Sequence, residues 1–260
     1  MSGIEGFLHR ERRAPGRWAK ALLALSAAAF VFALFMQDRL PPPGRVLPEL
    51  LAEPVQSPGD LPEPFEAERK GMTYIITPLF SYELAGLVVS THDADSFVDI
   101  SHEAWRDYIN IKDLCIIWGR NVETGVYARM RFRNRDFTCF YTYRDEETGA
   151  LFSEDCLSNN HLLPADEIAA AAVKRARKGD QVSFKGWLVS YGIKGSPYKR
   201  VSSTSRKDRG NGACETVFVK EFRILKAANP GWRTLRRVAL WVFVLAAAAA
   251  VRFGSGRRPS

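Results

Sequence analysis

Three histidines lie in the middle of this chain, His92, His102 and His161, with Asp93, Asp95, Glu103 and Asp155 close by. Histidine changes charge nearest neutral pH, so it is the first place to look for acid–base or metal chemistry. No two of the three share H-x-x-x-H spacing, which would put both rings on one helix face, and the pattern assigns no metal. The densest polar knot is Ser158-Asn159-Asn160-His161. Ser158 activated by His161 and a distant acid would make a hydrolase site, whereas turn and capping chemistry accounts for the same residues without catalysis. No G-x-S-x-G, phosphate-binding glycine loop or dinucleotide fingerprint occurs, so the sequence implies no cofactor and assigns no catalytic residue.

Sulfur is the next reactive element. Cys115, Cys139, Cys156 and Cys214 are the four cysteines, without C-x-x-C or zinc spacing. An even number in an exported domain favours disulfides, and reduced buried thiols are the alternative. Cys115 and Cys139 fall on two predicted strands of one sheet and are expected to pair. Cys156 and Cys214 are the leftover couple.

A basic loop supplies the candidate binding residues. Lys199, Arg200, Arg206, Lys207 and Arg209 lie among Ser, Thr and Gly, too polar a mixture for a core, and are expected to be exposed. Trp187 and Tyr198 lie near enough in sequence to stack on a sugar ring or a base. Net charge argues less than it first suggests. The total of +8 divides into 7 basic against 7 acidic residues over 1–64, 24 against 22 over 65–226, and 6 against none over 227–260. The excess belongs to the C-terminal flank, which is poor evidence for a nucleic-acid partner. Within the middle, 83–123 holds 8 acids and 3 bases and 174–209 holds 11 bases and 2 acids. Either the two segments face each other or are solvated separately, or the second is a basic face for an anionic ligand, lipid head group or partner.

Two apolar runs bracket these residues. Positions 21–36 carry no charge, and a helix over 19–36 would measure about 27 Å at ~1.5 Å per residue, enough for a thin hydrocarbon core. The run lacks an A-x-A exit, which favours an uncleaved anchor over a signal peptide. Its N-terminal side is net positive and 37–64 net negative, so both termini are expected in the cytoplasm of a bacterial cell, with the main domain periplasmic. Residues 238–251 form the second run, expected to span with help from flanking residues. The resulting plan is a basic tail (1–18), a transmembrane helix (19–36), a Pro-rich stalk (37–71), a β-rich domain (72–226), a basic linker (227–237), a second transmembrane helix (238–253) and a tail (254–260). The stalk, with its many prolines, is expected to stand extended without a core.

The domain itself reads as strands at 73–80, 84–90, 114–118, 126–132 and 137–143, a short helix at 101–109, and a helix at 164–177. Two further strands contain Gly179-Asp-Gln-Val-Ser-Phe-Lys-Gly-Trp-Leu-Val and Val217–Leu225, with Pro78 at an edge or bulge and a second bulge near Lys220. The fold class is mainly β with one main helix: an OB-like Greek-key barrel with extra strands, flanked by two transmembrane helices. The helix and the G-D-Q-V-S-F-K-G-W-L-V run resemble the fourth-strand opening of oligonucleotide/oligosaccharide-binding modules. The segments D-L-C-I-I-W-G (113–119), L-S-N-N-H-L (157–162) and G-N-G-A-C-E-T (210–216) resemble those of bacterial membrane-anchored proteins without an assigned activity. The resemblance implies a location rather than a mechanism. The expected function is a membrane-anchored binding or interaction module that contacts membrane lipid and engages an anionic envelope ligand, a glycan or a protein, with no nucleic acid. The alternative is an envelope hydrolase using the His161 region.

Overall fold

In a computed structural model, residues 14–95, 104–135, 137–197, 199–208 and 214–254 are described. They divide into two compact units, one formed by the terminal helices and one spanning Leu40–Ala228.

Helix α1 runs Ala14–Gln37 and the C-terminal helix, α5, runs Pro230–Gly254. Both contain windows long and apolar enough to cross a membrane, 20 residues at mean hydropathy 2.1 and 23 residues at 1.7. The second is longer than its apolar run because the helix starts at Pro230, where proline suits a first turn, and carries Arg233, Arg236 and Arg237 in helical form. The two helices pack through small residues spaced by seven: Ala19, Ser26 and Ala33 on one, Ala239 and Ala246 on the other, all buried. Small side chains at that period let two backbones approach closely. The Ser26 hydroxyl donates to the Leu22 carbonyl at 2.6 Å, which satisfies it within its own helix. Leu25, Phe35, Trp241 and Leu245 point outward.

The second unit is built on β3, Met72–His92, one 21-residue strand where the sequence suggested two. Its length lets it pair with β4 (Lys112–Ile117) over one stretch and with β8 (Gln181–Ile193) over most of its length. Pro78, which cannot donate to a ladder, sits at a register shift. The remaining main strands are β7 (Leu157–Pro164) and β10 (Cys214–Lys226). Hydrogen-bonded neighbours run β3–β4–β7–β10–β8, and β8 pairs again with β3. The β7–β10 pairing is parallel. As the broken alternation predicted, β10 has a register shift at Lys220, between Val219 and Glu221. Gly186 on β8 is required where three strands meet: a Cβ there would lie 2.0 Å from the Phe218 carbonyl oxygen.

Between β7 and β8 lies α4, Glu167–Arg175, capped by Asp166, whose side chain accepts from Ala169 N at 2.7 Å. It begins later than the predicted helix because Pro164 is the last residue of β7. Its buried alanines and Val173 pack against the main core of Leu84, Ile116, Trp118, Leu162, Phe184 and Val217. Two short strands, β1 (Val55–Ser57) and β2 (Phe65–Arg69), add to β3, and a third, β9 (Lys199–Val201), adds to β8.

Three expectations need correction. The Pro-rich segment is not a free stalk. Leu50 is fully buried with Leu87, Ile117 and Tyr127, the Tyr127 hydroxyl donates to the Pro41 carbonyl at 2.8 Å, and Leu47 N donates to the Gln181 side chain at 2.7 Å. Proline prevents a segment from building its own ladder, but not from laying its leucines onto another core. Residues 126–132 are not one strand: a short helix, α2 (Gly119–Glu123), and a 3-10 turn over Val126–Arg129 precede β5 (Arg131–Arg135). Val126, Tyr127 and Met130 are buried at helical, not alternating, spacing. Of the helix expected at 101–109, residues 101–103 lie outside the described residues, residue 104 is helical, and 105–109 are turn and irregular chain.

Strand β6 (Thr138–Thr142) pairs with β5 as a separate two-stranded sheet, followed by α3 (Glu146–Leu151). The Cys115–Cys139 disulfide forms as expected, with Cα atoms 5.8 Å apart, but it joins two sheets rather than strands of one. It staples the β5–β6 hairpin to β4. Cys156 and Cys214 are free thiols, so the leftover couple does not pair.

Candidate functional site

The site begins with the alternation of β7. Leu162 faces the main core, so Asn160 and Ser158 face it too, while His161 and Asn159 face the other way. Antiparallel β4 sets Asp113 directly opposite His161 and Cys115 opposite Asn159. Parallel β10 sets Cys214 beside Asn159, Glu215 beside Asn160 and Thr216 beside His161. The described parts of the three segments that carry the sequence resemblance therefore meet here, on three adjacent strands.

On the outer face, His161 is fully buried. Its Nδ1 lies 2.7 Å from Asp113 Oδ1, and Asn110 Nδ2 donates to the same oxygen at 2.8 Å. Arg200 brings Nη2 to 3.2 Å from His161 Nε2 and Nη1 to 3.6 Å from Asp107 Oδ2, with its guanidinium carbon 4.1 Å from the Phe137 ring centre. The Tyr191 hydroxyl, 2.8 Å from both oxygens of buried Asp107, completes the cluster. Burial pulls the imidazole pKa down, but the Asp113 carboxylate outweighs it and the value rises to about 9. Arg200 opposes that rise, because its guanidinium charge repels the protonated ring.

On the inner face, Asn160 Nδ2 donates to Ser158 Oγ at 2.7 Å. Arg206 Nη1 lies 3.1 Å from Glu215 Oε1, and its guanidinium covers the rings of Tyr82 and Trp118 at 5.4 and 5.5 Å. Burial pushes the Glu215 carboxyl up to about 7 against the pull of Arg206. It also pushes the Tyr82 hydroxyl well above its usual range, with Glu215 adding to the rise. Glu215 Oε2, Tyr82 Oη and Asn160 Oδ1 are buried and make no well-formed hydrogen bond among the described residues, although Ser158 lies near enough to Glu215 and Tyr82 to hold their pKa values down. A buried carboxylate oxygen in that state is costly, and it marks where a donor from outside would be accepted.

Glu215 and Arg206 of the inner cluster reach a cavity of about 400 Å³ between the hairpin and the start of β10, which the His161 cluster does not line. Phe140 and Tyr141 of β6 form one wall, Asn159 and Cys214 another, and Arg206 with Glu215 the floor. The Tyr141 hydroxyl is tied to Glu154, on the same rim.

The candidate binding residues are dispersed by this arrangement. Lys199 and Lys207 are exposed as expected. Arg200 and Arg206 are not: both turn inward onto buried carboxylates, a correction to the reading of the loop as a uniformly solvated basic patch. A guanidinium can be drawn inward in this way because Asp107 and Glu215 could not be buried uncompensated. Trp187 packs on Phe65 and Phe218, with Lys220 Nζ 4.6 Å from its ring centre, and does not line the cavity. Arg209 and Tyr198 lie outside the described residues, as do His102 and Glu103. Asp93 and Asp95 are engaged by Lys112, and by Lys70 and Lys174, respectively. His92 is the register neighbour of Asp113 on β3. Among the described residues no group of three His, Cys, Asp or Glu side chains could hold a metal ion. Ser158 and His161 face opposite ways, so they do not form a nucleophile–base pair.

Sequence reasoning did not find Asp107, Tyr82 or Glu215. The only available signal was an acid inside an otherwise strand-like run, C-E-T-V-F-V, where a core strand would carry none. Comparison of the chain with family models, curated proteins and solved structures finds no match.

Proposed function

We propose that this chain is a membrane-anchored binding module whose sheet is an OB-like barrel, and that it takes its ligand in the cavity floored by Glu215 and Arg206. The barrel reading is supported by the circuit of pairings that leaves β3 through β4 and returns through β8, by the parallel β7–β10 pair, and by a helix between β7 and β8, the third and fourth of those five strands in chain order. Two long apolar helices support an anchor in membrane lipid, and the disulfide supports an exported, periplasmic domain on the inner membrane.

One observation carries the binding reading: a buried carboxylate oxygen without a well-formed hydrogen bond borders a cavity of ligand size with aromatic walls. The inward turn of Arg200 and Arg206 leaves Lys199 and Lys207 as the exposed cations among the described loop residues. That shifts the preferred partner from an anionic lipid or glycan to an envelope protein. Hydrolysis at His161 is disfavoured, because Asp113 and Arg200 face both ring nitrogens and Ser158 lies across the sheet.

A photo-crosslinking residue at Phe140, half-exposed on the rim, would be compared in intact membranes with one at Lys185, an exposed position far along β8. A discrete adduct from position 140, lost in Glu215→Gln and not seen from position 185, is expected. Identical adduct patterns from both positions, or none from 140, would overturn the proposal.

A further inference from the structure

The cavity wall carries two kinds of sulfur. Cys139 belongs to the disulfide, Cys214 is a free thiol, and both line the same space. Their placement follows from register. Asn159 on β7 has Cys115 as its neighbour on β4 and Cys214 as its neighbour on β10. The Cys214 thiol donates to the Phe137 carbonyl at 3.2 Å, two residues ahead of Cys139 on the same hairpin. Asn159 Nδ2 donates to that carbonyl at 2.9 Å and lies 3.9 Å from Cys214 Sγ. Its Oδ1 accepts from Asn134, the residue opposite Cys139, at 2.6 Å. One amide side chain therefore bridges the thiol's strand and the hairpin that holds the disulfide. Cys156, by contrast, packs in the main core and does not line the cavity.

We propose that Cys214 is the attacking thiol of an internal thiol–disulfide exchange that moves the bond at Cys139 from Cys115 to Cys214. Cys214 gives its proton to solvent in the cavity, and the thiolate attacks Cys139 Sγ. The Cys139–Cys214 bond forms as the Cys139–Cys115 bond breaks, the electron pair leaves on Cys115 Sγ, and that sulfur takes up a proton. Nothing is oxidised or reduced overall, and no co-reactant is needed. Because the two sulfurs sit on the hairpin side and the sheet side of the cavity, the new bond ties those walls together. The exchanged form is the closed state of the proposed ligand site. The exchange chemistry itself does not depend on that reading.

The test is disulfide mapping by mass spectrometry on the folded, detergent-solubilised full chain. It is incubated without reductant at pH 6 and pH 9, quenched with acid, and alkylated. A Cys139–Cys214 peptide that is more abundant at pH 9, with a matching rise in alkylated Cys115, is expected in the wild type and in Cys156→Ser. Both signals must vanish in Cys214→Ser. No such peptide in the wild type at pH 9, or Cys115 alkylation unchanged by Cys214→Ser, would overturn the proposal. A Cys115→Ser variant gives a second reading once it is shown to be folded. Cys139 bonded to Cys214 supports the exchange, and Cys139 free or bonded to Cys156 overturns it. Since the mapping reads connectivity alone, its outcome is separable from crosslinking at Phe140.

Discussion

Glu215 and His161 stand on adjacent strands and opposite faces, and each holds a proton more tightly in the folded chain than out of it. For Glu215 the pKa moves from 4.5 to about 7, for His161 from 6.5 to about 9. In both windows the native state carries more protons than the unfolded one, so stability falls as pH rises. The unfolding midpoint of the solubilised protein is expected to drop steadily between pH 5 and pH 9. Glu215→Gln should flatten the lower half of that profile and His161→Gln the upper half, and a profile unaltered by either change would refute the assignment. Arg200 makes the sharper residue-level case. Removing it takes away the guanidinium 3.6 Å from buried Asp107, at a cost of up to about 3–5 kcal/mol, the range for breaking a buried pair. Lys207→Ala, at an exposed position, should stay within about 0.5 kcal/mol. Chemical denaturation of the two variants compares them directly, and equal effects would return Arg200 to the solvated loop.

Among the elements, β8 is tightly constrained around Gly186, where it hydrogen-bonds to β3 on one edge and to β10 on the other. A methyl group at that position would meet backbone rather than a movable side chain. Gly186→Ala is therefore expected to prevent folding or to lower the thermal midpoint severely. A melting curve like that of the wild type would mean that the strands can part locally. The segment around Leu50 gives a complementary test. Leu50→Ala should cost about 2–5 kcal/mol, as for a buried leucine, while the neighbouring Leu51→Ala, half-exposed, should cost far less. Equal costs would mean that the Pro-rich segment is not docked after all.

For the whole molecule, the charge asymmetry around the first apolar run argues for both termini in the cytoplasm and the domain outside. Alkaline phosphatase fused after residue 60 or 226 should be active, and fused after residue 260 inactive. Activity at 260 would mean that α5 does not cross in this sense. Length no longer counts against crossing, since 23 residues of helix span about 35 Å at ~1.5 Å per residue.

Much of this architecture was legible from residues alone, for reasons that are local. Apolar runs need no partner to announce themselves, Asp166 and the basic last turn mark the ends of α4, and a bulge appears as a slipped alternation at Lys220. The Cys115–Cys139 pair was reachable because both residues sat on recognisable strands. The tertiary structure alone decided which side chains work together. Strand alternation separates Ser158 from His161 although they are three residues apart in sequence, and β10 brings Glu215 to Asn160 from a different part of the chain. Whether a charged residue is solvated or buried depends on a partner that only the fold supplies. Arg200 and Arg206 had the composition of a surface loop, yet Asp107 and Glu215 hold them inside, because an unpaired buried carboxylate costs more than burying the guanidinium that neutralises it.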